Sequence, residues 1–300
     1  MPTQPAHRER IAVLTDSCAD LPPALAREKG IEILPLKICY PEGDYLDSVS
    51  ITPEEIYRRM PDEVPKTSLP DGESILGAFD RLRDAGYTKA VAVMFSSGIS
   101  GTYNAVRVLA ESYEDMEIAV FDTKNACMGV GLIALRAVEF IREQGLGWDE
   151  LLARMPGVIR NTQVFFSIDS LDYLQKGGRI GLVTCVAGTM LQIKPVISFA
   201  KDGQLVSIGK ARGRAKSMEE VARRLRTLIP GDGKPYDMFV ANGGCPEDAE
   251  ALKAMLAAEI AGCRRFYECE IDGTLAAHVG PHLIGLGIHC LEEYDGGKGH

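Results

Sequence analysis

Short apolar runs alternate with amphipathic segments through the first half of the chain. Apolar runs of this length are typical of buried strands, and apolar positions three or four residues apart are typical of helices. The predicted strands cover residues 11–15, 31–40, 89–95 and 117–122, and the main predicted helices cover 71–85, 103–112 and 129–143. Strands separated by helices indicate βαβ units, so this half predicts a parallel sheet in a three-layer αβα arrangement.

The pattern changes after residue 162. Predicted strands at 194–199 and 205–210 flank the turn Lys201-Asp202-Gly203, which is typical of an antiparallel hairpin. The other predicted elements are strands at 163–167, 237–241 and 266–271 and helices at 171–176, 182–191, 217–229 and 246–260. We therefore predict a two-domain α/β protein: an N-terminal domain over 1–160, a C-terminal mixed-sheet domain over 161–300, and a boundary near 157–162.

Composition narrows the classes of function. The 300 residues are 46% apolar and 25% charged, which is typical of a globular protein. The net charge of −9 makes nucleic acid a poor partner. Eight cysteines form no CxxC pair, so no metal motif is predicted, and their scatter through apolar contexts favours a reducing compartment. No apolar run reaches the roughly 18 residues of a membrane span. We expect a cytoplasmic protein with no stable membrane insertion, cofactor or metal.

The loop Ser96-Ser97-Gly98-Ile99-Ser100-Gly101-Thr102 contains the densest candidate chemistry. It follows a predicted parallel strand and begins a helix, which is where open α/β sheets bind ligands. The unpaired N–H groups of a helix N-terminus suit an anion. Two interpretations stay open with about equal weight: Ser100 only caps the helix, or the loop binds a ligand.

Two other hydroxyl clusters lie near predicted strand or helix ends. Thr67 and Ser68 precede a helix, and Thr15-Asp16-Ser17 follows the first strand. Because polar groups at successive strand ends converge on one crevice in such sheets, each cluster supports the others as a binding site.

Several other motifs are weaker. Gly129, Gly131 and Ala134 match a dinucleotide fingerprint but do not directly follow a strand, so we interpret them as helix-packing residues. Ser100 lies in an incomplete nucleophile elbow, which leaves a serine-type acyl hydrolase or acyltransferase, with His278 as base, as the alternative function. His278 and His282 are separated by Gly280-Pro281, which argues against a shared metal.

Six short segments, taken in order, resemble the DegV family of bacterial fatty-acid-binding proteins. They are TDSCADL at 15–21, KTSLP at 66–70, SSGISGTY at 96–103, LDYLQKGGRI at 171–180, IKP at 193–195 and HVGP at 278–281. The resemblance covers about residues 10–292. It implies a non-catalytic carrier that holds a long-chain, palmitate-like fatty acid in a tunnel between two domains.

The resemblance also implies roles for individual residues. The fatty acid carboxylate would be held by Thr67 and Ser100, with Ser68, Ser97 and Gly101 nearby, and by His278. Arg179 and Arg212 match arginines that dock a separate ATP-dependent fatty acid kinase subunit, which some members serve in phospholipid metabolism. Small residues at 183–190 are candidates for the tunnel wall.

The sequence departs from the family pattern at two positions. His282 stands where members usually have glycine, and we expect its bulk to affect the loop or the tunnel mouth. Asp71 stands where they usually have serine and would bring a carboxylate near the anion site, unless it turns outward as a helix cap, which is the expectation here.

Overall fold

A computed structural model describes residues 10–60, 62–186, 193–231 and 233–291, and only the backbone of 184–186. The strands are β1 Ile11–Asp16, β2 Ile31–Leu34, β3 Lys37–Tyr40, β4 Gly43–Leu46, β5 Lys66–Ser68, β6 Lys89–Met94, β7 Glu117–Asp122, β8 Thr162–Ser167, β9 Ile193–Phe199, β10 Leu205–Arg212, β11 Tyr236–Asn242, β12 Arg265–Glu270 and β13 Ile284–Cys290. The helices are α1 Pro23–Glu28, α2 Pro53–Arg59, α3 Gly72–Asp84, α4 Thr102–Glu111, α5 Met128–Arg142, α6 Trp148–Arg160, α7 Asp172–Lys176, α8 Arg214–Arg226, α9 Pro246–Met255, α10 Ala257–Gly262 and α11 Gly273–Val279.

The N-terminal part contains the predicted parallel sheet. Its four strands lie in the order β2-β1-β6-β7, and every neighbouring pair is parallel. Alternate residues of β1 lie on opposite faces of the sheet. Leu14 packs with Phe79 under α3 and α4, while Val13 belongs to the core that contains α5. Burial on both faces explains why these strands are almost continuously apolar.

A small antiparallel sheet corrects one sequence prediction. Residues 31–40 do not form one strand, because the strand ends before Pro35, which lacks the N–H group that a ladder requires. Residues Ile31–Leu34 stay in the parallel sheet as β2. Residues Lys37–Tyr40 form β3, which pairs antiparallel with both β4 and β5.

The C-terminal part contains the predicted mixed sheet of six strands, in the order β10-β9-β8-β13-β11-β12. Strands β9 and β10 form the predicted hairpin, and β11 and β12 are its one parallel pair among the described strands. One face of the sheet packs on α8 and α9, where Phe165 and Met238 are buried. Phe166 and Phe239 point to the opposite face, toward α5.

Helix α5 lies between the two sheets and packs against strands of both. A Cβ at Gly129 would lie 2.5 Å from a methyl group of Val164, and a Cβ at Gly131 would lie 2.7 Å from the carbonyl oxygen of Ala19. The glycines therefore permit close approach on two sides, as the packing interpretation predicted. Residues 157–162 lie where α6 meets β8. The division into domains at 160 stays a prediction.

Other differences concern local structure. The predicted helix 182–191 is wrong at its start, where Gly181–Val186 forms a 3-10 helix; residues 187–192 lie outside the described residues. The predicted helix 246–260 is two helices, α9 and α10. The sequence reading missed α6, α11 and β13. In the part of the chain that the structure describes, no helix combines the length and the apolar character needed to cross a membrane.

Two loops join the parallel-sheet part to the mixed-sheet part. The Ser96 hydroxyl donates to the carbonyl oxygen of Gly203 at 2.7 Å and accepts from the N–H of Gly98 at 3.1 Å. A Cβ at Gly98 would lie 2.2 Å from the carbonyl carbon of Gly203. Only glycine at position 98 allows the two backbones to meet this closely.

We expect Gly98→Ala to destabilise the protein. The added methyl group would force the backbones of the two loops apart, which should lower the free energy of unfolding by about 1–3 kcal/mol. Chemical denaturation measures the change. Gly231→Ala is the matched control, because a Cβ there meets nothing within 4 Å. Equal losses in the two variants would contradict the prediction.

Candidate functional site

A cavity lies where the carboxyl end of β6, the residues before α5 and the inner face of the mixed sheet come together. Its empty space is about 1050 Å³, including the part open to solvent. Apolar side chains line most of it, among them Phe95, Phe166, Phe199, Phe239 and Leu283. The polar lining residues are Thr67, Ser68, Ser100, Arg179, Thr274 and His278. No described lining residue is acidic.

The predicted hydroxyl and histidine positions meet at this cavity. Thr67 lies in β5, and His278 lies in the last turn of α11 rather than in a loop. Thr67 Oγ1 and His278 Nε2 share a hydrogen bond of 2.8 Å across 211 residues of sequence. Strand β5 is fixed by pairing with β3, and α11 packs against this small sheet, so the bond joins two anchored elements.

Gly177 of the KGGR segment makes room for the histidine. A Cβ at Gly177 would lie 2.2 Å from His278 Nδ1, so the ring packs directly on the end of α7. That nitrogen is buried without a hydrogen-bond partner among the described residues. Burial and, to a smaller extent, the positive charge of Arg179 lower the pKa of His278 to about 4. The imidazole is therefore neutral at physiological pH.

The Ser96–Thr102 loop divides into two roles. Ser100 and Gly101 line the cavity at the start of α4, as predicted. Gly101, rather than Ser100, is the N-cap residue, and the Ser100 hydroxyl accepts the Thr102 N–H at 3.2 Å. Ser97 is not among the lining residues, because its hydroxyl accepts a hydrogen bond from Lys124 Nζ at 2.9 Å instead.

The two predicted docking arginines have different surroundings. Arg179 is half-buried and lines the cavity, and its guanidinium donates to the carbonyl oxygens of Ile99 at 3.2 Å and of Gly177 at 2.7 Å. Arg212 is exposed at the end of the edge strand β10. The sequence reading therefore missed that Arg179 lines the cavity.

Both departures from the family pattern leave the cavity intact. Asp71 caps α3 by accepting the Ser74 N–H at 2.8 Å, and it also pairs with Lys37 Nζ at 2.6 Å. The capping expectation is thus correct. His282 is exposed and has a φ of 65°, in the region that favours glycine, and its side chain is not among the lining residues. The expected effect of His282 on the loop or the tunnel mouth is thus found in the loop backbone and not in the cavity lining.

The first hydroxyl cluster is not part of the cavity. Thr15 donates to the Val93 carbonyl oxygen at 2.7 Å, and Ser17 donates to Asp47 Oδ2 at 3.1 Å. Convergence at the strand ends was therefore predicted correctly for two clusters and wrongly for this one. Of the wall candidates at 183–190, Val183 is buried but is not a lining residue, and the side chains at 184–190 lie outside the description. The sequence reading also missed Thr274 and the aromatic wall.

The fold and this cavity define an α/β protein with a largely apolar cavity whose lining includes hydroxyl, imidazole and guanidinium groups. The family model described as "Uncharacterised protein, DegV family" matches residues 10–290. The chain belongs to the DegV family, and the resemblance drawn from its sequence is confirmed.

Relatives match along nearly their full length. A DegV domain-containing protein of Clostridium acetobutylicum is 34% identical over 280 residues, or 93% of this chain and 99% of the relative. The structure of a fatty-acid-binding DegV family protein from Thermus thermophilus superposes with a TM-score of 0.87 at 30% identity, covering 94% of this chain and 100% of its own. A stearic acid-binding protein from Eubacterium ventriosum has a TM-score of 0.81 at 28% identity, with 93% and 98% covered.

The low pKa of His278 predicts a pH dependence. Between about pH 6.5 and pH 4 the unfolded chain binds a proton at this imidazole and the folded chain does not. The contribution of His278 to the free energy of unfolding should therefore fall as the pH is lowered through this window, whereas the buried carboxyl group of Asp16, whose pKa is raised to about 7, contributes with the opposite sign. The His278 contribution is isolated as the difference in free energy of unfolding between the wild type and His278→Gln, which should change across this window when both are denatured at several pH values. NMR titration of the His278 ring with a midpoint near pH 6.5 would contradict the prediction.

Proposed function

We propose that this protein is a carrier that binds one long-chain fatty acid, with the carboxyl group at Thr67, Ser100 and His278 and the alkyl chain in the apolar cavity. The observation that carries the proposal is the meeting of these three distant residues in the lining of one largely apolar cavity. Relatives that match along nearly the whole chain bind fatty acids, which supports the same conclusion.

The polar groups suit a carboxylate. Hydroxyl groups and a neutral imidazole can donate hydrogen bonds to it, so its oxygens need not be buried unpartnered. The N-terminus of the ten-residue helix α4, next to Ser100, adds the positive end of its dipole. No acidic side chain among the described lining residues would repel the charge.

The apolar walls supply most of the affinity. Each buried methylene contributes roughly 0.8 kcal/mol, so a chain of about sixteen carbons contributes on the order of 10 kcal/mol before ordering costs. This hydrophobic contribution to the binding free energy depends on the length of the alkyl chain and not on fixed polar contacts. The headgroup contacts then determine the orientation of the acid.

The geometry favours binding over acyl hydrolysis. A serine nucleophile needs a base within hydrogen-bond reach, oriented by a third group. The hydroxyl of Ser100 contacts Thr102 Oγ1 at 3.0 Å, whereas His278 Nε2 contacts Thr67. The other ring nitrogen, Nδ1, has no orienting partner in the described part of the chain. We therefore expect no turnover of a chromogenic acyl ester.

Solvent extracts of the purified wild-type protein, analysed by mass spectrometry, should contain a fatty acid of about sixteen to eighteen carbons.

Ser100→Ala tests the headgroup site. Loss of one buried hydrogen bond to the carboxylate should weaken fatty acid binding by about 1–3 kcal/mol, on the order of ten- to a hundredfold in Kd. Displacement of a fluorescent fatty acid by palmitate measures the change.

Ser97→Ala is the matched control for Ser100→Ala. It removes the same atom from the same loop, three residues away, but its hydroxyl faces Lys124. We expect wild-type affinity. An empty extract together with no uptake of added palmitate would overturn the fatty acid proposal, and equal effects of the two variants would remove Ser100 from the headgroup site.

We further propose that the bound acid is presented to a separate ATP-dependent kinase subunit, with exposed Arg212 and the Arg179 side of the cavity mouth in the contact. The exposure of Arg212 on an edge strand supports a docking role. We expect Arg212→Ala to weaken capture of such a kinase subunit at least tenfold without changing palmitate affinity. Arg58→Ala, another exposed arginine, is the control. Undiminished capture by Arg212→Ala would remove this residue from the contact.

A further inference from the structure

Two thiols and a carboxyl group meet beside the cavity at the junction of three chain segments. Asp20 follows the 3-10 helix Ser17–Ala19, Cys127 precedes the first turn of α5, and Cys269 lies in β12. One oxygen of Asp20 and the two sulfur atoms all lie within 4.8 Å of one another, and all three residues are buried. Cys127 also lines the cavity.

The spacing of the sulfur atoms matches a metal-bound pair. Cys127 Sγ and Cys269 Sγ are 3.9 Å apart. Two thiolates bound at about 2.3 Å to a tetrahedral zinc ion lie about 3.8 Å apart. A disulfide would need a separation of about 2.0 Å. The two side chains therefore stand at ligand distance without rearrangement.

The carboxyl group of Asp20 supplies an independent observation. Its Oδ1 accepts the backbone N–H of Asp272 at 2.8 Å. Its Oδ2 is buried and accepts no N–H or hydroxyl hydrogen bond among the residues that the structure describes, and the side-chain partners of this carboxyl group are the Asp272 carboxyl group and the Cys127 thiol. Each of these contacts needs a proton on one of its two members, and a cation bound by Asp20 and Cys127 would take the place of that proton.

The surroundings are acidic and lack a basic partner. Asp16, Asp47 and Asp272 are also buried, and no ion pair within the described ranges joins any of these carboxyl groups to lysine, arginine or histidine. A divalent cation would supply the positive charge that the described residues around these carboxyl groups do not.

We propose that Asp20, Cys127 and Cys269 bind a zinc ion, with water in the fourth position. Two thiolates with one carboxylate suit zinc, whereas magnesium and calcium select oxygen ligands alone. The ion would link the end of β1, the start of α5 and strand β12. It would thereby cross-link the parallel-sheet part to the mixed-sheet part beside the lipid cavity.

Cobalt titration of the whole chain, produced without a histidine tag, tests this site. Cobalt bound by two thiolates should give a sulfur-to-cobalt charge-transfer band in the near ultraviolet and visible bands typical of tetrahedral geometry, saturating at one equivalent. Zinc should displace the cobalt and abolish these bands. Cys269→Ser and Asp20→Asn should each weaken zinc binding at least tenfold in competition with a chromophoric chelator.

Cys263→Ser is the matched control, because that half-buried thiol donates to the Ile260 carbonyl oxygen and is not a member of the cluster. It should bind cobalt like the wild type. The titration of the wild-type protein tests the site even where a variant fails to fold. The proposal is overturned by a wild-type spectrum without the charge-transfer band, by a band that survives Cys269→Ser, or by a Cys127–Cys269 disulfide in the purified protein.

Discussion

Helix α5 has to pack against two sheets at once, and the cavity follows from that constraint. Thirteen of its fifteen residues are buried, which is typical of a central core helix. At its C-terminal end the buried Arg136 and Glu139 pair with each other at 2.7 Å. The helix begins at Met128, and the cavity lies beside the two residues that precede it, Ala126 and Cys127.

The polar part of the cavity lining depends on residues that do not themselves line the cavity. Ser17 donates to Asp47, and Asp47 accepts the N–H groups of Gly273 and Thr274 at 2.9 and 3.1 Å at the start of α11. Helix α11 carries His278 six residues after Asp272, its N-cap residue. The first hydroxyl cluster of the sequence therefore supports the histidine through Asp47, although it does not line the cavity itself.

Local sequence patterns predicted most elements, since buried strands and amphipathic helices produce periodic signals over short windows. They failed where contacts between residues distant in sequence decide the structure. One such place is Pro35, where the chain passes from one sheet to another. The other is β13, whose glycines are required by the side chains packed against them. A Cβ at Gly287 would lie 2.2 Å from the ring of Phe239. Likewise, nothing in the pattern SSGIS distinguishes Ser100 from Ser97, because which hydroxyl faces the cavity depends on Lys124, a residue distant in sequence. The family resemblance ranks Ser100 ahead of Ser97, a distinction that the local pattern alone does not make.

The thiol and carboxyl cluster illustrates a further limit of sequence reading. Cysteines 127 and 269 are 142 residues apart, and Asp20 is more than a hundred residues from either, so no spacing rule connects them. What brings them together is the same packing of α5 between two sheets, since the start of that helix touches both the end of β1 and the mixed sheet. A buried anionic group is tolerated only with a proton or a cation. The packing that forms the cavity thus also brings together acidic groups, each of which must be neutralised by a proton or a cation.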